Sequence, residues 1–310
     1  MYLGLDFLLA PGPEPFLVEA NVGLPGGAHE YDLAHRIFNG RPSGVFERIE
    51  SLSRRAYGLS FKGYIDSLPF LESLKAMKLW MDGQGAFPEA FHPALRFEDK
   101  WVQYQFLSPH VPMPRTVPLD RADPDAARRF LKTVPEAVLK RRTGRGGRGF
   151  ALVGPGTDPA GLSPGPLPCL LQEHIDSRVE GYSLSVRSVA FAGEPVAMYA
   201  NLAAGRPVSN HGILAFVVPG TFFGLTETAF RVHSFDERSW EASIWFGEDP
   251  ARDPAHLRHN LNEERVAAAA LVLPAGIYEG IRKASVLVER LYEGTDPASL
   301  PPAWFEAPPD

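Results

Sequence analysis

The chain has 310 residues, 45% hydrophobic and 22% charged, which is enough for a sizeable core in one large domain or two. A net charge of −6 supplies no basic footprint and argues against nucleic acid as the main partner, and no apolar run reaches the ~20 residues that span a membrane. The one cysteine, Cys169, excludes an internal disulfide and any cysteine-based zinc cluster.

Residues 4–9 and 16–21 are apolar runs on either side of Pro11-Gly12-Pro13-Glu14-Pro15, the pattern of a hairpin. Asp6 interrupts the first run and no basic region precedes it, so no signal peptide is expected and a cytoplasmic location is the default. Asp6 falls on one strand. Glu19 and Asn21 are two apart on the other and point to one face. Two carboxylates and an amide oxygen form a hard-oxygen site suited to Mg²⁺. The bland alternative is a polar-faced hairpin, although these residues break runs that otherwise read as buried.

Residues 28–98 read mainly as helices and loops, with helical spacing in Phe46, Ile49, Leu52 and Ser53 and again in Phe70, Leu71, Leu74, Met77 and Met81. Glu98-Asp99-Lys100 opens a helix that runs to Leu107 and stops before Pro109. Residues 111–117 read as an extended edge segment, and Asp123 as the N-cap of a helix over 124–133. A strand over 137–140 ends in Lys140. A Gly/Arg loop follows over 141–149, and residues 150–153 return as a strand. Residues 154–168 are rich in Pro and Gly. Strands are expected at 170–175, at 182–190 paired with 195–203 across Ala192-Gly193-Glu194, and at 212–218. From Asn262 onward Val266, Ala270 and Leu273, then Ile277, Ile281, Ala284, Val288 and Leu291, recur at helical spacing, with Pro274 splitting or kinking the helix. Residues 293–310 form an acidic, Pro-rich tail with Trp304 and Phe305.

Two further segments carry chemistry. Lys140 leads into Thr143-Gly144-Arg145-Gly146-Gly147-Arg148-Gly149, whose glycines let backbone N–H groups approach an anion while the lysine supplies a point charge for phosphate. The lysine precedes the glycines, so this is not a P-loop. Taken alone, the loop reads equally well as a solvated hairpin turn. Gln172-Glu173-His174-Ile175 followed by Glu180 offers backbone groups for an adenine edge and a carboxylate for ribose hydroxyls. Alone, it reads more readily as an edge strand with exposed charges.

Together these pieces resemble the ATP-grasp superfamily. There, a lysine opens a short helix ahead of a Pro-rich stretch, here Asp99-Lys100 and Val111-Pro112-Met113-Pro114. A second lysine ends a strand and leads into a Gly-rich loop, here Val138-Leu139-Lys140 to Gly149. A hinge strand with a ribose-binding acid follows, here Leu171 to Ile175 with Glu180. Asp6-Phe7-Leu8 and Glu19-Ala20-Asn21-Val22-Gly23-Leu24-Pro25-Gly26 are closest to the Asp-Phe-Phe and Glu-x-Asn-x-x-Pro-Gly segments of D-alanine–D-alanine ligases. The metal hairpin comes first in this chain and last in the family, so the resemblance implies a circular permutation, as in eukaryotic glutathione synthetase.

What the resemblance implies is an α+β fold of two subdomains clasping ATP. Residues 1–27 would be the metal-binding hairpin of the C-terminal subdomain, 28–98 a mainly helical region on the substrate side, 99–176 the N-terminal lid subdomain, 177–292 the rest of the C-terminal subdomain, and 293–310 a tail. It implies ATP with two Mg²⁺ ions, or Mn²⁺ in their place, held by Asp6, Glu19 and Asn21. Lys100 and Lys140 would hold phosphates, with Gly144, Gly146 and Gly147 over them. Gln172, Glu173, His174, Ile175 and Glu180 would receive the nucleoside. D-alanine–D-alanine ligases place an arginine two residues before the metal Asp. Gly4 stands there in this chain, so Arg187 and Arg206 are the candidate catalytic cations. Small-molecule or peptide carboxylate and amine (or thiol) substrates follow, with no nucleic acid, no membrane and a homo-oligomer left open. A ligase, a kinase on the same fold and a nucleotide-binding module without turnover all stay open.

Overall fold

The computed structural model describes residues 1–11, 14–22, 25–81, 86–119, 124–144, 150–158, 161–162, 168–204, 213–226, 231–234 and 265–306. In chain order its strands are β1 (Leu3–Leu9), β2 (Pro15–Val22), β3 (Thr116–Leu119), β4 (Ala137–Arg141), β5 (Ala151–Val153), β6 (Cys169–Glu173), β7 (Arg178–Val179), β8 (Tyr182–Phe191), β9 (Glu194–Ala204), β10 (Ile213–Gly220), β11 (Gly224–Leu225), β12 (Arg231–Ser234) and β13 (Arg265–Pro274). Its α-helices are α1 (Ala28–Asn39), α2 (Val45–Tyr57), α3 (Phe61–Asp66), α4 (Leu71–Met81), α5 (Lys100–Leu107), α6 (Pro124–Leu131) and α7 (Ala275–Gly294). The chain is thus mixed α+β, and it forms two compact units. Among the described residues no helix is long and apolar enough to cross a membrane.

The first unit comprises residues 1–15, 21–68 and 176–294. Its sheet runs β11-β13-β10-β9-β8-β1-β2, with β12 added to β13 and β7 to β8. β10 and β13 are parallel, while β1, β8, β9 and β10 pair antiparallel in turn. In β1 the alternation is direct: Leu5, Phe7 and Leu9 are buried, and Asp6 and Leu8 face the other way. Ala192 (φ 53°) and Gly193 (φ 79°) join β8 to β9 with two successive residues in the left-handed region, as a type I′ hairpin turn requires. Helix α7 buries Ile281, Ser285, Val288 and Tyr292, one stripe at helical spacing.

Residues 265–274 correct the sequence reading, which places a helix there. They form β13, hydrogen-bonded to β10 on one side and to β11 and β12 on the other. Ala270, Leu271, Val272 and Leu273 are all buried, so both faces of the strand are covered. A continuous apolar run matches helical and strand templates alike. Pro274 marks the change from strand to helix rather than a kink, and α7 starts at the next residue.

The second unit comprises residues 16–20, 69–175 and 295–310. The stretch 28–98 therefore divides at Leu68/Pro69. A four-stranded antiparallel sheet, β3-β6-β4-β5, packs against α6 through Ala127, Phe130, Leu131, Ala137, Leu139 and Leu171. Pro118 lies in β3, at the sheet edge, where its missing N–H costs nothing. Residues 295–306 are packed rather than trailing. Arg96 donates to the carbonyls of Pro297 (3.2 Å), Ala298 (2.8 Å) and Leu300 (2.7 Å) and forks onto Glu306 (2.6 and 2.8 Å), and Phe305 is buried.

Candidate functional site

In the second unit, three side chains from distant parts of the sequence meet the middle of β2. Lys140, at the end of β4, brings its Nζ to 3.4 Å from the Val18 carbonyl. Lys100, the first residue of α5, lies 3.2 Å from Glu19 Oε1. Gln103, one turn further along α5, accepts from Ala20 N–H (3.0 Å) and donates to Ala20 C=O (2.6 Å). The sequence reading selects Glu19, Lys100 and Lys140 separately, and the fold brings them together. Lys100 is buried, and a buried ammonium is costly unless it is hydrogen-bonded. Gly144 C=O supplies its second partner at 3.1 Å. Lys140 donates to Gln172 Oε1 (2.7 Å), and Gln172 Nε2 passes the chain of hydrogen bonds to Thr116 Oγ1 (3.0 Å).

The base of the Gly-rich loop is fixed from below. Asp99 is fully buried and caps α5, accepting from Trp101 N–H at 2.9 Å. The same carboxylate accepts a fork from Arg142 (3.0 and 2.6 Å) and the backbone N–H of Trp304 (3.2 Å). Lys100 N–H closes the ring on Arg142 C=O at 2.9 Å. Trp304 Nε1 donates to Thr143 Oγ1 at 3.2 Å. Gly144 adopts φ 151°, which favours glycine. Gly146, Gly147 and Arg206 lie outside the described residues.

The hinge candidates divide. Glu173 is forked by Arg115 (2.9 and 3.1 Å), whose hydrogen bonds hold the carboxyl below the usual range. The Glu173 N–H bonds Arg115 C=O and the His174 N–H bonds Glu136 C=O, while His174 Nδ1 lies 2.6 Å from Glu136 Oε2. The N–H of Ile175 has no partner among the described residues. Glu180 belongs to the first unit. With φ 49° it precedes Gly181 (φ 86°) in the tight β7–β8 turn, and its Oε1 accepts from Leu225 N–H at 3.0 Å.

Asp6 also belongs to the first unit. It sits directly opposite Arg187 in the β1–β8 ladder, and the two side chains meet as a fork: Nε to Oδ1 at 2.7 Å, Nη2 to Oδ2 at 2.5 Å. Burial works against the guanidinium charge, but Asp6 outweighs it and raises the arginine pKa well above its ordinary value. Asn21 Nδ2 lies 3.5 Å from both Asp6 Oδ2 and Gly4 C=O, the outer limit of a hydrogen bond. A Cβ at Gly4 would meet the Pro25 Cβ at 2.6 Å, so no side chain fits there, and the cation beside Asp6 comes from the neighbouring strand. Gly27 N–H donates to Glu30 Oε2 (2.7 Å), which caps α1.

Asp6 and Asn21 carry oxygen donors of the type that magnesium takes. Among the described residues no group of three His, Cys, Asp or Glu is gathered to hold a metal. Mg²⁺ delivered with a nucleotide does not need one, because it takes one or two carboxylates, keeps waters and fills the rest of its shell with phosphate oxygens. Asp6 can keep Arg187 and still present lone pairs, since each carboxylate oxygen has two.

Sequence reasoning misses Gln103, Arg142 and Trp304, and it gives no contact for Asp99 or Thr143. Gln103 shares a helix face with Lys100 at i, i+3, which is the signal that points to it. The others become visible only in three dimensions. No protein-family model matches the chain, and no curated protein matches it.

Proposed function

We propose that the chain is an ATP- and Mg²⁺-dependent ligase of the ATP-grasp type, circularly permuted, joining a carboxylate to an amine or thiol. One observation carries the reading. The two lysines assigned to phosphates both reach β2, at Val18 and Glu19, and Glu19 is the residue assigned to the metal. Lys100 and Lys140 are separated by 40 positions, and each lies far along the chain from β2, so local sequence gives no reason for them to converge. The order of parts supports the permutation: β1, which carries Asp6, packs beside α7.

In this reaction the substrate carboxylate attacks the γ-phosphorus of ATP, ADP leaves, and the amine or thiol then displaces phosphate from the acyl phosphate. Lys100 and Lys140 neutralise phosphate charge from positions already fixed by Glu19, the Gly144 carbonyl, Gln172 and the Val18 carbonyl. Little ordering remains when the nucleotide binds. Arg187, held in its fork by Asp6, supplies a permanent cation for charge developing in transfer. Asp6, Glu19 and Asn21 would hold magnesium, which supplies neutralisation of the phosphate oxygens when bound. No side chain acts as a nucleophile.

The test is thermal. Mg·ATP at about 100 times its Kd adds about 2.7 kcal/mol to the stability of a protein that binds it, a rise of several degrees in melting temperature. No rise with Mg·ATP sinks the nucleotide reading. Where the rise occurs, a screen of carboxylates paired with amines separates the outcomes. Released phosphate with a new amide is the ligase, a stable phosphorylated product is a kinase, and binding without ADP release is a module without turnover.

A further inference from the structure

We infer that Gln103 is the positioning residue that holds Glu19 in register with Lys100, and that through it helix α5 couples the nucleotide to its magnesium. The inference rests on the proposed function and adds a residue to it. Among the described residues β2 is the last strand in its sheet order, and the outward N–H and C=O of Ala20 meet no further strand. Gln103 takes that place at one residue. Its side-chain amide accepts from the Ala20 N–H and donates to the Ala20 C=O, as a neighbouring strand would, with Oε1 and Nε2 at 3.0 and 2.6 Å. Nε2 also donates to the Phe97 C=O at 2.6 Å, anchoring the amide to the turn before α5. The orientation is fixed by chemistry, because one backbone donor and two carbonyls leave only one arrangement of the amide. Gln103 is buried and all three contacts are buried, so each bond is worth more than at the surface.

Ala20 lies between Glu19 and Asn21, the two β2 residues assigned to magnesium. Fixing both of its backbone groups fixes where the flanking side chains point. Lys100 and Gln103 project from one helix face, so the same element that presents an ammonium to the Glu19 carboxylate also sets the strand that carries it. Lys140 keeps β4 and its 2.7 Å bond to Gln172 even where its longer contact with the Val18 carbonyl of β2 is lost. The expected consequence is selective. Without Gln103, Lys100 keeps the Gly144 carbonyl and Lys140 keeps Gln172, so metal-free nucleotide is expected to bind nearly as before. The metal-dependent part of binding is what weakens.

The experiment is calorimetric titration of ATP into the wild-type chain, Gln103→Met and Gln103→Glu, once with excess magnesium and once with EDTA. Gln103→Met keeps the volume and removes the hydrogen bonds. It is expected to weaken Mg·ATP binding by about tenfold, with binding in EDTA within about twofold of wild type. Gln103→Glu covers the case in which Gln103→Met does not fold. A protonated carboxyl still accepts one bond and donates one, so its Mg·ATP affinity relative to wild type is expected to recover as pH falls from about 8 to about 5.5, where a buried carboxyl takes up its proton. Equal losses in magnesium and EDTA, or a lowered melting temperature with both affinities unchanged, make Gln103 a brace only and overturn the inference while leaving the nucleotide reading intact. A wild-type chain that binds no ATP in either buffer overturns both.

Discussion

Lys100 Nζ lies 3.2 Å from Glu19 Oε1, across 81 positions of sequence, with the lysine side chain 9% exposed and the glutamate 27%. The ammonium assigned to a phosphate is thus held by the carboxylate assigned to the metal. On the proposed function, phosphate would take the place of Glu19 at Lys100, and Glu19 would turn to magnesium. ATP without metal would reach Lys100 only with Glu19 left facing phosphate charge. Glu19→Gln is therefore expected to narrow the ratio of Mg·ATP to metal-free ATP affinity at least about tenfold. It is expected to abolish ADP release and to cost about 1–2 kcal/mol in stability, because the buried Lys100 ammonium exchanges a charged acceptor for a neutral one. An unchanged ratio, measured by titration with and without EDTA, counts against the exchange.

The fork between Arg187 and Asp6 is held by two parallel hydrogen bonds, with side chains 21% and 14% exposed. Arg187→Met leaves Asp6 charged and unpaired beside the sheet, at a cost of about 3 kcal/mol. Arg187→Lys recovers less than half of this, since an ammonium cannot reproduce a two-pronged contact. Adding Asp6→Asn to Arg187→Met removes the orphaned charge, and the double variant is expected to be more stable than Arg187→Met alone. Urea unfolding of the four proteins checks the order. A double variant that is simply the sum of two losses denies the coupling.

How much of this was legible beforehand depends on the kind of signal. Strand alternation around Asp6, the X-Gly turn at Ala192-Gly193 and the helix opening at Asp99-Lys100 are local rules, and each element stands where they put it. β13 was not legible, because Val266, Ala270 and Leu273 fit a helix as well as a strand buried on both faces. At the candidate site, residue type and spacing drew attention to Glu19, Lys100 and Lys140 one at a time, but nothing in the sequence says that they converge. Asp99 stands in the sequence only as part of a helix opening, and its fork with Arg142 and its bond to Trp304 are long-range facts.

Trp304 shows what such a contact is worth. Its indole N–H meets Thr143 Oγ1, and Thr143 is 2% exposed, so no water readily replaces the donor. Trp304→Phe keeps most of the ring packing against Trp80 and Phe87 and removes only the hydrogen bond. The expected loss is about 1 kcal/mol in stability. Because Thr143 precedes Gly144, whose carbonyl holds Lys100, a several-fold weaker affinity for ATP in magnesium should accompany it. Paired melting and titration experiments check both. A stability loss with unaltered affinity confines Trp304 to packing.

Glu306 and Arg96 give a pH-dependent contribution whose sign is fixed. Arg96 hydrogen bonds lower the Glu306 pKa, against an opposing effect of burial, from an ordinary value of 4.5. A carboxyl with a depressed folded-state pKa contributes stability that is fully present above the unfolded pKa and is lost as pH falls through the folded one. With side chains 15% and 24% exposed, the charged fork is expected to contribute about 1–2 kcal/mol at neutral pH. Glu306→Gln should therefore be less stable than wild type by that amount from pH about 8 down to about 5, and the difference should shrink steadily below the ordinary value. Other acids titrate in the same range, but they do so in both proteins and cancel in the comparison. Urea unfolding of wild type and variant across this range is the measurement. A difference that stays constant down to pH about 3 means that Arg96 holds residues 297–306 through the Pro297, Ala298 and Leu300 carbonyls alone, with the Glu306 charge contributing nothing.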